Sequence, residues 1–422
     1  MSTQALHARA LLALALLGGG AAAEHSPWYL GLQQTLTQES NLYRIDDAVV
    51  LSGRPGHPHK SDLVSTTSLL GGLDQPIGRQ RLFGSASFDV NRYRHNAHLD
   101  HEGHALELGL DWATVNRLSG RVSVGASRRL ARYDILGGSG SSVDTALNLA
   151  QARRFDAAVR LGLVTRLSAE AILGHRAVSY TAPAYRYREY RHDTLAAGLR
   201  YKPREGLEFG VALRQTEGRY PHFRALPDGR EEVDRFTRRD LELSTIWNPG
   251  GPSRVAARLA FGRTGYEQDT QRDFSGATGA LVWHWQPGAR LQLRTDLTRD
   301  IGQSADYVIF GVAQAGLVDY SRTITALRVR ADYTLGAKVA VYLSAMQAHR
   351  VLEDTRSLAG SAPTFARGSD DTTTWLLGAR WLPLRSTTLG CEVGQERRSA
   401  EGGLSTDVEA GIVSCYGRFV LP

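Results

Sequence analysis

The stretch GALVWHWQPGARLQLR, from Gly279 to Arg294, decides the fold class of this chain. Its apolar residues stand two apart on both sides of a Pro-Gly turn: Leu281, Trp283 and Trp285 before it, Leu291 and Leu293 after it. A strand buried on both faces would be apolar at every residue, and an amphipathic helix would repeat every three to four residues. A period of two around a tight turn therefore predicts a β-hairpin with one apolar and one polar face.

The same pattern recurs along the chain at intervals of roughly forty to fifty residues. An aromatic residue closes the strand before each turn: Trp112, Tyr201, Trp247, Trp285, Tyr333 and Trp381. Side chains with an apolar ring and a polar edge prefer the boundary between acyl chains and water. These six residues are therefore predicted to form an aromatic belt at one rim of a membrane β-barrel, beside its short turns. A soluble β-sandwich or propeller is the alternative, but it gives no reason to place each aromatic on the same face beside the same kind of turn.

The number of turns predicts the size of the barrel. Nine longer polar segments, among them 41–60, 218–234, 264–272 and 351–370, alternate with eight short turns. The turns centre near Pro76-Ile77, Asn116-Arg117, Thr165-Arg166, Pro203, Pro249-Gly250, Pro287-Gly288, Gly336 and Pro383-Leu384. This alternation predicts an all-β fold, a transmembrane antiparallel up-and-down β-barrel of about 18 strands. With that many strands the lumen is wide enough for water unless a loop fills it.

The first residues are typical of a cleaved secretory signal. Arg9 supplies a positive charge, residues 10–17 form a short apolar core, and Ala21-Ala22-Ala23 offers a cleavage site. We therefore expect a signal peptide over residues 1–23 and a single barrel domain over residues 24–422. Such a chain is expected in the outer membrane of a Gram-negative bacterium, in contact with outer-membrane lipid.

Charged residues alternate with the apolar ones and are expected to point into the lumen. They are Arg200, Glu208, Arg214, Glu242, Arg258, Arg294, Asp296, Arg328, Arg330, Asp332, Arg380, Glu392 and Glu396. The formal net charge of +7 is carried mainly by arginine, since Lys60, Lys202 and Lys338 are the only lysines. Two interpretations stay open. The guanidinium groups could draw anionic solutes, or arginines and acids could pair across strands and stiffen a polar wall. The mixture of signs argues against strong anion selectivity.

Several short segments resemble the EpsL-type outer-membrane proteins of exopolysaccharide operons, a family of β-barrel porins. They are Ser40-Asn41-Leu42-Tyr43-Arg44, Leu82 to Phe88, Gly109 to Trp112 and Arg117 to Gly120. The resemblance is strongest in the first hundred or so residues after the signal, and the strand–turn rhythm and the late cysteine pair extend it. It implies a link to the making or export of a surface polysaccharide, with an anionic polysaccharide and periplasmic export components as partners. It brings no catalytic residues.

The two cysteines, Cys391 and Cys415, flank a candidate turn at Gly402-Gly403 symmetrically. This spacing would place them opposite each other on the last two strands, with Val393 opposite Val413. An oxidising periplasm permits a cross-strand disulfide, so we predict a structural disulfide, with two free thiols as the alternative.

Histidines spaced by three mark the segment from Arg94 to His104. Zinc or copper could be held by such residues, but a period of three suits neither face of a strand, and the segment falls in a predicted external loop. We therefore expect a solvated loop, no metal and no cofactor.

The combined features favour a channel with a polar, arginine-rich lumen over two alternatives. One is a scaffold barrel of the export machinery that conducts nothing, and the other is a lipid-modifying enzyme. No G-x-S-x-G elbow is present to support catalysis, and a secreted chain makes a nucleic-acid partner improbable. The segment 301–320 is apolar enough to pack inside the wall or against the membrane edge.

Overall fold

The protein is a closed β-barrel in the part of the chain that a computed structural model describes, which is residues 26–49, 51, 57–133, 145–164, 166–226, 228–301, 321–356 and 364–421. The eighteen strands are β1 Trp28–Glu39, β2 Asp62–Ile77, β3 Gln80–Tyr93, β4 His101–Ala113, β5 Leu118–Leu130, β6 Leu149–Val164, β7 Leu167–Tyr180, β8 Tyr190–Arg204, β9 Leu207–Ala225, β10 Glu231–Trp247, β11 Ser253–Tyr266, β12 Phe274–Trp285, β13 Leu291–Asp300, β14 Ser321–Thr334, β15 Val339–Arg356, β16 Thr364–Leu384, β17 Thr387–Glu401 and β18 Val408–Leu421. Short 3₁₀ helices cover Ala97–Leu99, Pro183–Arg188 and Thr270–Arg272. No helix in these ranges is long or apolar enough to cross a membrane. The predicted signal peptide and residues 302–320 lie outside the described residues.

The sheet closes on itself. Each strand pairs antiparallel with its neighbours in sequence, and β1 pairs with β18 from Leu30 opposite Leu421 to Glu39 opposite Ile412. The predicted all-β, up-and-down barrel of eighteen strands is therefore confirmed.

Alternation along each strand separates an apolar outer face from a polar inner face. On β10, Leu241 and Leu243 are more than two-fifths exposed, whereas Asp240 and Glu242, which alternate with them, are buried. The same outward rows of leucine, valine and phenylalanine surround the barrel and form an apolar band. A closed sheet with apolar side chains outside and charged ones inside is suited to hydrocarbon around it and water within it. The protein is accordingly an outer-membrane barrel of a Gram-negative bacterium.

Short turns join the strands at one rim, and mostly longer connections join them at the other. In outer-membrane barrels the rim with short turns faces the periplasm. The six residues of the predicted aromatic belt lie in the last residues of β4, β8, β10, β12, β14 and β16, on the outer face beside this rim. Tyr201, Trp247 and Trp381 are more than two-fifths exposed there.

Three of the predicted turn centres are displaced by a few residues. Pro203 lies in β8 and Pro383-Leu384 in β16, because the strand register shifts between Tyr201 and Arg204 and between Trp381 and Leu384. A bulge of this kind accommodates a proline, which has no N–H to donate to the ladder. The turn after Pro203 is made by Gly206, whose φ of 75° favours glycine. Likewise Pro76-Ile77 ends β2, and Gly78 turns the chain with a φ of 61°.

Two of the predicted loops are shorter than their sequence pattern indicates. β9 continues to Ala225 and β10 begins at Glu231, so most of the segment 218–234 is strand; β15 and β16 likewise extend into the segment 351–370. The backbone ladder continues above the apolar band, where outward side chains are polar. The apolar alternation ends there although the strand does not.

The cysteines lie directly opposite each other, with Cα atoms 4.0 Å apart and the two sulfurs bonded. Val393 is opposite Val413 in the same register. Both cysteines are exposed on the outer face, in phase with these valines. The disulfide therefore joins the last hairpin on the membrane side of the wall.

Candidate functional site

The candidate site is the inner wall of the barrel. None of the thirteen charged residues predicted to face the lumen is exposed, and each alternates with outward side chains on its strand. The structure brings most of them together with acids or bases of neighbouring strands, so they are described here by the groups they form.

One group spans β6 to β9 toward the periplasmic rim. Arg200 donates from Nη2 to Glu170 Oε1 at 2.8 Å and from Nη1 to Glu208 Oε1 at 2.7 Å. Arg160 donates to Glu170 Oε2, also at 2.8 Å. Two guanidinium groups and two carboxylates therefore neutralise each other on the wall.

A second group is centred on Glu242 of β10. Its carboxylate accepts from Arg214 Nε at 2.9 Å and Arg214 Nη2 at 3.0 Å, and from Arg258 Nη1 at 2.8 Å. Planar pairing of this kind is stronger than a bond between neutral groups. Glu242 is buried, so its charge is balanced by the two arginines rather than by water.

The second group continues toward the extracellular side through Asp300. Asp300 Oδ2 lies 3.3 Å from Arg258 Nη2, and its Oδ1 lies 3.0 Å from Arg238 Nη1. Arg238 also pairs with Asp240 at 2.8 Å and donates to Thr278 Oγ1 at 2.9 Å. This chain of charges runs across β9, β10, β11 and β13.

Pairs two residues apart on one strand complete the pattern. Arg294 donates to Asp296, and Arg330 to Asp332, each from Nε at 2.7 Å. The guanidinium carbon of Arg330 also lies 4.4 Å from the ring centre of Tyr342. The hydroxyl of Tyr342 donates to Glu392 Oε2 at 2.7 Å.

Ion pairs are thus formed by the predicted lumen arginines Arg200, Arg214, Arg258, Arg294 and Arg330. Arg328 donates to the sulfur of Met346 at 3.4 Å. Arg380 is half-buried and forms no ion pair with any residue in the described ranges. Of the two interpretations left open by the sequence, the geometry favours paired ladders over a cationic wall.

Glu396 of β17 connects the wall to two extracellular loops. It is fully buried and pairs with Arg44 Nε at 3.3 Å and with Arg132. Arg132 follows β5, and β18, β1, β2, β3 and β4 lie between β5 and β17 along the wall. For Arg132 to contact Glu396 across these five strands, the segment that follows β5 must pass over the lumen. We call Arg44, Arg132 and Glu396 the mouth clasp.

The segment from Asn41 to Ile45 is folded tightly enough to position Arg44. The Asn41 side chain donates to the Ile45 carbonyl at 2.7 Å and accepts from the Ile45 N–H at 3.1 Å. Arg44 has a φ of 53°, and it is the only non-glycine residue with a positive φ among the residues that the structure describes. Burial alone would lower the pKa of Arg44, but Glu39 and Glu396 raise it above its ordinary value, so the clasp stays charged.

Tyr43 anchors the same segment. It is fully buried and packs against Tyr133, with ring centres 5.0 Å apart. Its hydroxyl donates to Asn96 Oδ1 at 2.9 Å. Burial, with a contribution from Asp62, raises the pKa of Tyr43, so the donating hydroxyl keeps its proton. Loops that follow β1, β3 and β5 therefore share one core at the extracellular mouth.

Sequence reasoning missed several partners of the wall. Arg238 and Asp240 are in phase with Glu242 on β10, and extending the period-two pattern along that strand would have found them. Arg160 and Glu170 lie on β6 and β7, two strands for which no inward residue was predicted. Arg44 and Arg132 lie in loops, where no periodicity indicates direction.

The histidine-rich segment is not assembled around a common centre. His98 lies in the 3₁₀ helix after β3, with Nε2 3.0 Å from the Thr145 carbonyl oxygen, and His101 is buried at the start of β4, with Nδ1 2.8 Å from the Leu99 carbonyl oxygen. Within the described residues, no group of three or more potential ligands is arranged to hold a metal.

Comparison with known proteins finds likeness in structure only. No protein-family profile and no curated protein matches the sequence. Among solved structures, OpdK of Pseudomonas aeruginosa is 12% identical with a TM-score of 0.45, covering 93% of this chain and 99% of its own. OpdL from the same organism is 11% identical with a TM-score of 0.42, covering 94% and 99%. OccK2 (OpdF), solved in complex with glucuronate, is 11% identical with a TM-score of 0.45, again covering 94% and 99%. The likeness concerns the barrel and does not identify a solute for this chain.

Proposed function

We propose that the protein is a diffusion channel of the outer membrane with a charge-balanced lumen. The observation that carries this proposal is a closed barrel of eighteen strands whose inward arginines are mostly paired with carboxylates. Barrels of this size enclose an aqueous channel. Because the guanidinium charges are neutralised locally, the channel is expected to admit small polar solutes with little preference for anions.

The mouth clasp is proposed to narrow the extracellular entrance. Arg44 and Arg132 bring two loops to Glu396 on the wall, and the shared core of Tyr43 and Tyr133 holds these loops together. The entrance is therefore smaller than the ring of strands. Single-channel conductance is expected to be limited at this level.

Conductance in planar lipid bilayers tests the proposal. The wild-type barrel should show discrete current steps. Glu396→Gln removes the carboxylate that Arg44 and Arg132 share and leaves Glu39 as the acid paired with Arg44. The two loops should therefore detach from the wall and the current steps should become larger. Glu392→Gln is the matched control, because it removes the same charge from the same strand without touching a loop.

The outcomes separate the alternatives. Larger steps in Glu396→Gln with unchanged steps in Glu392→Gln support a clasped channel. Absence of steps in the wild type and in both variants would overturn the channel and favour the non-conducting scaffold.

We further propose that the barrel serves the export of an exopolysaccharide together with periplasmic components. The support is the resemblance of the segments at 40–44, 82–88, 109–112 and 117–120 to EpsL-type proteins. In the same bilayer recordings, acidic oligosaccharide from the polysaccharide should interrupt the current reversibly. A current indifferent to the oligosaccharide would overturn this assignment and leave the channel intact.

A further inference from the structure

Arginines gather on the outer face of the barrel above the apolar band of β8 to β11. We call these five residues the basic outer patch: Arg191 on β8, Arg219 on β9, Arg235 and Arg239 on β10, and Arg263 on β11. All but Arg219, which is half-buried, are exposed. They alternate with buried inner residues such as Phe236 and Tyr220, so they point away from the lumen.

The strand register sets like charges side by side. Arg191 is opposite Arg219, and Arg219 is opposite Arg235 on its other side. Four residues lower on β10, Arg239 is opposite Arg263. Like charges directly opposite each other destabilise a sheet, and none of the five forms an ion pair with a residue in the described ranges. These five arginines therefore favour the binding of an anionic group from outside the chain.

Two acids lie between the upper row, formed by Arg191, Arg219 and Arg235, and the lower row, formed by Arg239 and Arg263. Neither acid neutralises these arginines. Asp193 Oδ1 lies 2.7 Å from His175 Nδ1 on the neighbouring strand. Glu217 accepts a hydrogen bond from Gln215 Nε2 at 2.5 Å. Both carboxylates are engaged with neighbours other than the arginines. Glu267, which follows β11, is exposed beside Arg235 and donates its backbone N–H to the Arg235 carbonyl at 2.8 Å. Five arginines against these three acids leave the patch positive.

The height of the patch matches the boundary of the membrane. Arg239 stands two residues above Leu241, and Arg263 two residues above Phe261, whose side chains are 43% and 50% exposed as part of the apolar band. Two residues of a strand rise about 7 Å, so these guanidinium groups lie in the headgroup layer. Because the band is followed here by the rim with long loops, this layer belongs to the outer leaflet.

We propose that the basic outer patch binds the phosphorylated headgroup of lipopolysaccharide in the outer leaflet. A guanidinium group offers paired N–H donors that fit phosphate oxygens. Arg239 and Arg263 meet the phosphates next to the acyl chains, and the upper row meets the anionic sugars attached to them. The apolar residues below, Leu241 and Phe261, receive the acyl chains.

Native mass spectrometry of the detergent-solubilised barrel tests this, with bisphosphorylated lipid A as the probe. The wild type should retain it, and Arg239→Gln with Arg263→Gln should weaken its binding about tenfold or more. The matched control is a triple variant at the periplasmic rim, Arg166→Gln with Arg204→Gln and Arg385→Gln, which removes more charge but should leave binding within about twofold. Heat-modifiable mobility in gels establishes that each variant is folded.

Two further probes decide the chemistry. Dephosphorylated lipid A should bind the wild type no better than it binds the patch variant, and phosphatidylglycerol should bind far more weakly than lipid A. Equal binding of dephosphorylated lipid A, equal binding of phosphatidylglycerol, or an equal loss in the rim variant would each overturn the proposal.

Discussion

Glu242 shows how single residues balance the inner wall. One buried carboxylate accepts from Arg214 on one side and Arg258 on the other. Removing one partner of a buried pair costs more than the pair contributes, because the remaining charge is left in a poorly solvated place. Loss of the acid at this position should therefore lower the stability of the barrel strongly. Loss of an outward acid such as Glu217 should lower it much less.

Glu242→Gln is expected to lower the free energy of unfolding by about 3–5 kcal/mol, the usual cost of breaking a buried ion pair. Urea unfolding of the vesicle-embedded barrel, followed by tryptophan fluorescence, measures it. Glu217→Gln on the outer face should cost under about 1 kcal/mol. Arg258 keeps its pair with Asp300, and loss of the carboxylate that neutralises Arg214 should also shift the reversal potential toward anion preference. Equal stability of the two variants would contradict the ionic account of the wall.

At the scale of elements, the last hairpin combines an ordinary strand pair with a covalent link. β17 and β18 are joined at Cys391 and Cys415, 24 residues apart in sequence. β18 also pairs with β1, so this hairpin completes the barrel. A cross-link here restrains the unfolded chain beside the seam where the two ends of the sheet meet.

Replacing both cysteines by serine should lower the free energy of unfolding by about 3 kcal/mol, the loop-closure contribution expected for a loop of this length. Conductance should not change, because the disulfide lies on the outer face. Unfolding midpoints of the oxidised wild type, the reduced wild type and the double-serine variant measure it. The two forms without the bond should agree, and a reduced protein as stable as the oxidised one would refute the prediction.

For the whole molecule, the position of the apolar band defines the place of the barrel in the membrane. Leu343 is half exposed near the middle of the outward row of β15, and Gln347 is the first polar residue above that row. The cost of a charge on the lipid face depends on its depth, from about 2–4 kcal/mol at the midplane to about 0–1 kcal/mol near the interface.

Leu343→Arg should therefore reduce the free energy of folding into vesicles by about 2–4 kcal/mol, and Gln347→Arg by at most about 1 kcal/mol. Reversible folding into vesicles, titrated with guanidinium chloride, gives both values. Equal costs at the two positions would show that Leu343 does not face hydrocarbon.

Within the apolar band, every second residue of each strand faces hydrocarbon and must be apolar. The number of strands, the outward rows and the positions of the aromatic residues could therefore be predicted from residues such as Leu281, Trp283 and Trp285. The partners of the inward charges could not, because the stagger between strands decides which acid meets Arg200 or Arg258. The bulges at Pro203 and Pro383 displace two turns from their predicted positions. These bulges could not be predicted either, because they depend on the pairing between strands rather than on composition. The mouth clasp was harder to predict from the sequence, because Arg44 and Arg132 lie in loops without periodicity. Only closure of the sheet carries these two residues to Glu396.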